Sequence, residues 1–124
     1  MRVLLDTHLL LCALSSPAEL SQRARQRIDS SEVYASAASI WEISIKCALG
    51  KLEADPAEVL AGVEPAGFIH LPIMGGHAAK VVDLPPIHKD PFDRLLVAQA
   101  RFEPMILLTD DDLLGGYGDL VEVV

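Results

Sequence analysis

The feature that most limits the fold is a series of short apolar runs: Val3-Leu4-Leu5, Val33-Tyr34-Ala35, Phe68-Ile69-His70-Leu71 and Met105-Ile106-Leu107-Leu108. The first and last carry no polar alternation, which is the pattern of strands covered on both faces in a parallel sheet. Stretches with helical spacing separate the runs. Leu9, Leu10, Leu11, Ala13 and Leu14 predict a short helix stopped near Ser15-Ser16-Pro17, and further helices are predicted over about 20–28, 38–49, 56–66, 75–82 and 91–103. Leu120 to Val124 supplies a last strand after the Gly115-Gly116-Tyr117-Gly118 turn. Strands alternating with helices make an α/β chain with a mostly parallel five-stranded sheet flanked by helices. The length, 124 residues with no repeat, low-complexity stretch or interdomain linker, predicts one domain over 1–124.

Counting Gly and leaving out Tyr, about 56% of the residues are apolar, above the ordinary range for a soluble domain. No apolar run is long enough to span a membrane. The excess therefore implies a surface buried against a second copy or a partner chain. A cytoplasmic protein is expected, because no basic flank, apolar segment and small-residue cleavage site occur in series at the start. Cys12 and Cys47 fall inside predicted helices and read as buried free thiols. Arg23, Arg25 and Arg27 read as a solvated helix face. A formal charge of −8 argues against broad electrostatic binding of nucleic acid, but it leaves room for a small site where divalent cations join phosphate to carboxylate.

The acids fall at telling places. Asp6 follows the first strand directly, and Asp110-Asp111-Asp112 follows the fourth. Asp90 and Pro91 are strong start signals for the helix over 91–103, which puts Asp93 in its first turn. There Asp93 either caps the Asp90 backbone or is free for chemistry, and this stretch alone leaves both open. The helix over 38–49, ended by Gly50, is apolar nearly all round, with Ser39, Glu42 and Lys46 as its one narrow polar stripe. A mostly buried helix with a lone carboxylate points Glu42 into a crevice, although an exposed Glu42–Lys46 pair is the plainer reading. In open α/β folds the strand ends form the edge where sites lie, so four segments deliver carboxylates to one edge.

Two carboxylates about 4 Å apart repel by about 4 kcal/mol at an effective dielectric of 20. Such a group needs protons or a cation among its members. All-oxygen ligands favour Mg²⁺ or Mn²⁺ over Zn²⁺. His8, His70, His77 and His88 show no metal-ligand spacing and read as structural or solvent-facing. Between the third strand and the last long helix, Asp83-Leu84-Pro85-Pro86-Ile87-His88-Lys89 is expected to be extended and able to cross the sheet edge to edge.

With these residues placed, the chain resembles the PIN domain, and within it the ribonuclease toxin of a VapBC-type toxin–antitoxin pair. The likeness runs through Leu4-Leu5-Asp6-Thr7-His8, Ser36-Ala37-Ala38-Ser39-Ile40-Trp41-Glu42-Ile43 with Lys46 and Gly50-Lys51-Leu52, Asp90-Pro91-Phe92-Asp93-Arg94-Leu95-Leu96-Val97-Ala98-Gln99-Ala100, and Leu107-Leu108-Thr109-Asp110-Asp111. The resemblance implies a PIN-like three-layer sandwich and a metal-dependent endoribonuclease that inhibits translation or growth, leaving 5′-phosphate and 3′-hydroxyl ends. It carries Asp6, Glu42 and Asp93 over as metal-binding acids. The fourth, two residues after a Thr, is Asp111, with Asp110 and Asp112 as alternatives in register. Lys46, Lys89 and Arg94 are the nearest candidates for phosphate contacts. Thr7 and Thr109 either assist the site or make local turn and cap hydrogen bonds. A homodimer and a cognate antitoxin are the implied partners.

Rival readings fit less well. A phosphoryl-receiving domain needs an acidic pair after the first strand and an Asp after the third, whereas Asp6 stands alone and Leu71 is followed by Pro72. A haloacid-dehalogenase-type phosphatase wants a second Asp where His8 stands. A catalytically inactive PIN fold used for binding would not need all four acids.

Overall fold

The computed structural model describes residues 1–124. Its five strands are β1 (Arg2–Leu5), β2 (Glu32–Ser36), β3 (Ile69–Leu71), β4 (Ile106–Thr109) and β5 (Val121–Val123). They lie in the order β3-β2-β1-β4-β5, and every neighbouring pair is parallel. The six helices are α1 (Thr7–Ser15), α2 (Gln22–Asp29), α3 (Ala37–Ala48), α4 (Pro56–Gly62), α5 (Gly75–Lys80) and α6 (Pro91–Phe102).

Alternation along the strands sorts the core into two halves. Val3, Leu5, Val33, Ala35 and Leu108 pack on one face with Leu9, Leu10, Ile43, Val59 and Val63 from α1, α3 and the α4 region. Leu4 and Leu107 point to the other face and meet Leu95, Leu96 and Ala100 of α6. The result is a helix–sheet–helix sandwich. Each fully buried Leu or Ile contributes about 1.5–3 kcal/mol, and these two layers fix the sheet edge from which the acids project.

The strand order also fixes where that edge opens. Moving outward from β1, the chain runs one way through β2 and β3 and the other way through β4 and β5, so the switch point lies between β1 and β4. Asp6 leaves β1 there, and Asp110 and Asp111 leave β4 beside it. A receiver domain has β1 between β2 and β3 and is excluded by this order.

Three elements depart from the sequence reading. The helix expected over 56–66 ends at Gly62, because Pro65 has no N–H to continue the ladder, and Gly67 at φ +84° turns the chain into β3. The helix expected over 75–82 gives way at Val81–Asp83 to a tighter 3-10 turn, ahead of the Pro85-Pro86 pair. The following segment is bent instead of extended: Ile87 donates its N–H to the Pro85 carbonyl at 2.9 Å. No helix is long and apolar enough to cross a membrane.

Candidate metal centre

Asp6 is the N-cap of α1. Its Oδ1 accepts from the Leu9 N–H at 2.8 Å, and its Oδ2 accepts from the Thr109 hydroxyl at 2.5 Å. Both bonds stabilise the ionised form, yet the carboxyl is only 5% exposed. Burial outweighs them and raises its pKa to about 6, with the Asp110 charge adding to the rise.

Glu42, 4% exposed, projects from α3 toward the same place. Its Oε1 lies 2.6 Å from the Thr7 hydroxyl and its Oε2 lies 2.6 Å from Lys46 Nζ. The Thr7 oxygen is also 3.0 Å from Ser39 Oγ, so with its one proton given to Glu42 it accepts from Ser39. The hydrogen bond to Glu42 raises the Lys46 pKa and keeps the ammonium charged. The Glu42–Lys46 pair is therefore present, but at the wall of a cleft. The helix itself is not mostly buried as expected: Trp41 is 55% exposed, and Leu49, at its end, is 63% exposed. Hydrophobic periodicity marks an apolar face without telling which neighbour covers it.

At α6 the cap is Asp90, whose Oδ1 accepts from the N–H groups of Phe92 at 2.8 Å and Asp93 at 3.1 Å. With the cap supplied, the Asp93 side chain is free of that task. Its pKa is raised to about 7, first by burial and then by the charges of Asp90, Glu42 and Asp6, against the opposing influence of His88. The Phe92 ring meets the Trp41 indole edge-on at 4.9 Å, which seats the start of α6 against α3.

The triple-aspartate segment resolves into distinct roles. Asp110 Oδ2 is 2.7 Å from His8 Nδ1. Asp111 caps the next 3-10 turn by accepting the Leu113 N–H at 3.0 Å, and its Oδ2 lies 3.1 Å from His88 Nε2. Asp112 is exposed and outside the cleft. Asp6, Glu42, Asp93, Asp110 and Asp111, with Thr7, His8, Lys46 and Lys51, line one cleft of about 350 Å³. A larger apolar groove of about 690 Å³ runs along the other flank of α3, past Ile40, Trp41, Leu60 and Pro72. It carries no acid.

Several residues sit where the sequence did not put them. The Arg94 guanidinium does not reach the cleft. It donates to the carbonyls of Pro85 at 3.0 Å and Val81 at 3.3 Å and to the Tyr117 hydroxyl at 3.2 Å, tying down the bent segment before α6. Lys89 is exposed and also outside, so the cations in the cleft are Lys46 and Lys51. Of the two readings left open for Thr7 and Thr109, Thr7 takes the long-range one, bonding Glu42 35 residues away, and Thr109 takes both, donating to Asp6 103 residues away while accepting the Asp111 N–H in a local turn. His88, read as structural or solvent-facing, stands between Asp93 and Asp111, 3.5 Å and 3.1 Å from their carboxylates. The only sequence signal for it was its place two residues before the Asp90 cap.

A family profile for the PIN domain matches residues 3–118. The chain belongs to the PIN domain family. PIN domains are nucleases that work with divalent metal ions, in keeping with an acid-lined cleft. Comparison with curated proteins found no match. Among solved structures, the fold of this PIN domain is similar to that of VapBC2 from Rickettsia felis bound to a DNA fragment from its promoter, at TM-score 0.71 and 13% identity over 99% of this chain and 98% of that one. It is also similar to FitAcB from Neisseria gonorrhoeae (TM-score 0.66, 20% identity, 98% and 96% covered). DNA-bound VapBC from Salmonella typhimurium is comparable, at TM-score 0.66 and 17% identity with 99% and 98% covered.

Proposed function

We propose that the chain is a VapC-type toxin, a Mg²⁺-dependent endoribonuclease held in check by a cognate antitoxin. The observation that carries this reading is the convergence of Asp6, Glu42, Asp93 and Asp111, from four separate elements, on one cleft at the switch point of the sheet. The donor set is hard oxygen throughout, and burial with mutual repulsion leaves two of its acids short of full ionisation near neutral pH. Both properties fit a divalent cation, Mg²⁺ or Mn²⁺, which these four residues would hold.

A bound divalent ion supplies an activated water and offsets charge on the attacked phosphate. The chain's own groups have separate tasks. Thr109 and the Leu9 N–H orient the Asp6 carboxylate, and Thr7 orients that of Glu42. Lys46 and Lys51 are the cations able to meet an RNA phosphate at the cleft. The narrowness of this basic contact within a chain of charge −8 favours recognition at the cut site over grip along a long backbone.

An antitoxin partner is supported by the toxin–antitoxin complexes that share this fold. It is supported too by the apolar side chains left open, among them Trp41, Leu49, Leu60 and Met74. The same surface suits a homodimer. Incubating the purified chain with total RNA, with Mg²⁺ or with EDTA, tests the activity. Discrete cleavage that disappears in EDTA and in Asp6→Asn is expected, and full cleavage in EDTA would remove the reading.

A further inference from the structure

The four acids are not held alike. Asp6 has two donors of its own, the Leu9 N–H and the Thr109 hydroxyl, and Glu42 has Thr7 and Lys46. Asp111 has the Leu113 N–H on one oxygen and His88 on the other. Asp93 has one neighbouring donor only, His88 Nε2 at 3.5 Å.

His88 is itself fixed from the far side. Its backbone N–H donates to the Tyr117 hydroxyl at 2.9 Å, and its carbonyl faces Arg94. Its Nδ1 lies 3.0 Å from the Asp90 backbone nitrogen, which has only a proton to offer. Nδ1 must therefore be the acceptor, and a proton there would oppose the Asp90 N–H. The remaining ring proton resides on Nε2, in hydrogen-bond reach of Asp111 at 3.1 Å, with the Asp93 carboxylate beside it at 3.5 Å. A histidine that ligates a metal through Nε2 does the reverse: it donates from Nδ1 to an acceptor, leaving Nε2 bare for the ion. Here the backbone of the α6 cap imposes the non-ligating tautomer.

We infer that His88 is a positioning residue which, as the Nε2–H tautomer set by the Asp90 backbone, holds Asp93 and Asp111 together and is not itself a metal ligand. The tautomer half of this inference stands on the hydrogen bonds alone. The consequence for metal affinity rests on the cleft being the metal site proposed above.

The test combines ¹⁵N NMR of the histidine rings, with and without Mg²⁺, and calorimetric titration of Mn²⁺ into the wild-type chain, His88→Gln and His88→Ala. Gln keeps an amide donor at the reach of Nε2, and Ala keeps none. The expected spectrum shows Nε2–H with a bare Nδ1 in the metal-free chain and no change of tautomer with Mg²⁺. His88→Ala is expected to bind Mn²⁺ about 10-fold or more weakly, and His88→Gln to stay within about 3-fold of wild type. A proton on Nδ1 in the metal-free chain, or its arrival there with Mg²⁺, overturns the inference, as does unchanged affinity in His88→Ala. Equal loss in a folded His88→Gln also overturns it. If the wild-type chain binds no metal, the reading of the cleft fails on its own, and the metal-free spectrum still decides the tautomer.

Discussion

Thr109 donates its hydroxyl proton to Asp6 Oδ2 while its oxygen accepts the Asp111 N–H at 3.0 Å, so one buried side chain at the end of β4 joins the acid after β1 to the acid segment after β4. The two strands are neighbours, and the bond closes the switch point like a rivet. Thr109→Val keeps the shape and removes both bonds. The expected cost is about 1–3 kcal/mol, read from urea unfolding, because one carboxylate oxygen of Asp6 and the Asp111 N–H are left unpaired. The Thr109 bond lowers the Asp6 pKa, so its loss moves that titration, followed by ¹³C NMR in EDTA, above about 6.

Asp6 and Asp93 make the metal-free chain sensitive to pH in an unusual direction. Their folded values, about 6 and about 7, lie above the ordinary 3.8, so between about pH 4 and pH 7 the folded chain binds more protons than the unfolded one. Stability in EDTA therefore falls as pH rises through that window, by on the order of 4 kcal/mol once the Asp93 share is roughly halved for its partly exposed carboxylate. Urea midpoints at pH 5 and pH 8 measure it. A chain more stable at pH 8 than at pH 5 would contradict this assignment.

Asp93→Asn removes a carboxylate that burial and three neighbouring acids penalise. At pH 8 without metal, the variant is expected to melt at or above the wild-type temperature. Mg²⁺ in excess should raise the wild-type midpoint, since binding to the folded state alone stabilises it, and leave the variant nearly unmoved. RNA cleavage is expected to vanish. Melting curves with and without Mg²⁺, beside an RNA gel, check all three.

Arg94→Ala should act on stability and not on contact with phosphate. Its guanidinium serves several carbonyls and the Tyr117 hydroxyl, so a loss of about 2–3 kcal/mol is expected. Lys51→Ala, at the cleft, should raise KM for RNA and leave the urea midpoint within about 0.5 kcal/mol.

Gln99 of α6 ties the end of β2 to the segment after β3 and to α5: its Oε1 accepts the Ser36 hydroxyl proton at 2.5 Å, and its Nε2 lies 3.3 Å from both the Pro72 carbonyl oxygen and His77 Nδ1. Gln99→Leu leaves the hydroxyl proton of the fully buried Ser36 without its acceptor, although Ser36 Oγ keeps the Ala38 N–H, and a loss of about 1–3 kcal/mol is expected, read from the urea midpoint.

Much of this is legible in the sequence, for identifiable reasons. Unbroken apolar runs such as Leu4-Leu5 and Leu107-Leu108 announce strands covered on both faces, and Asp90-Pro91 announces where α6 starts. Once strands and crossovers are known, chain topology brings Asp6, Glu42, Asp93 and the Asp110–Asp111 pair to one edge. What stayed hidden depends on contacts between segments remote in sequence. Arg94 looks like a phosphate ligand until the carbonyls of the bent segment are seen to surround it. His88 gains its role only from the Asp90 backbone and from Asp93 and Asp111. The exposure of Trp41 follows from the helices that do not cover it, which no periodicity records.

Trp41 rests one edge on Phe92, the residue next to Asp93, and turns the rest of its indole to open solvent beside the apolar groove. One ring contact, Trp41 on Phe92, thus connects the lining of the groove to the helix turn that brings Asp93 to the cleft. A ligand settled against the exposed face of Trp41 would therefore bear on the same helix turn that holds Asp93.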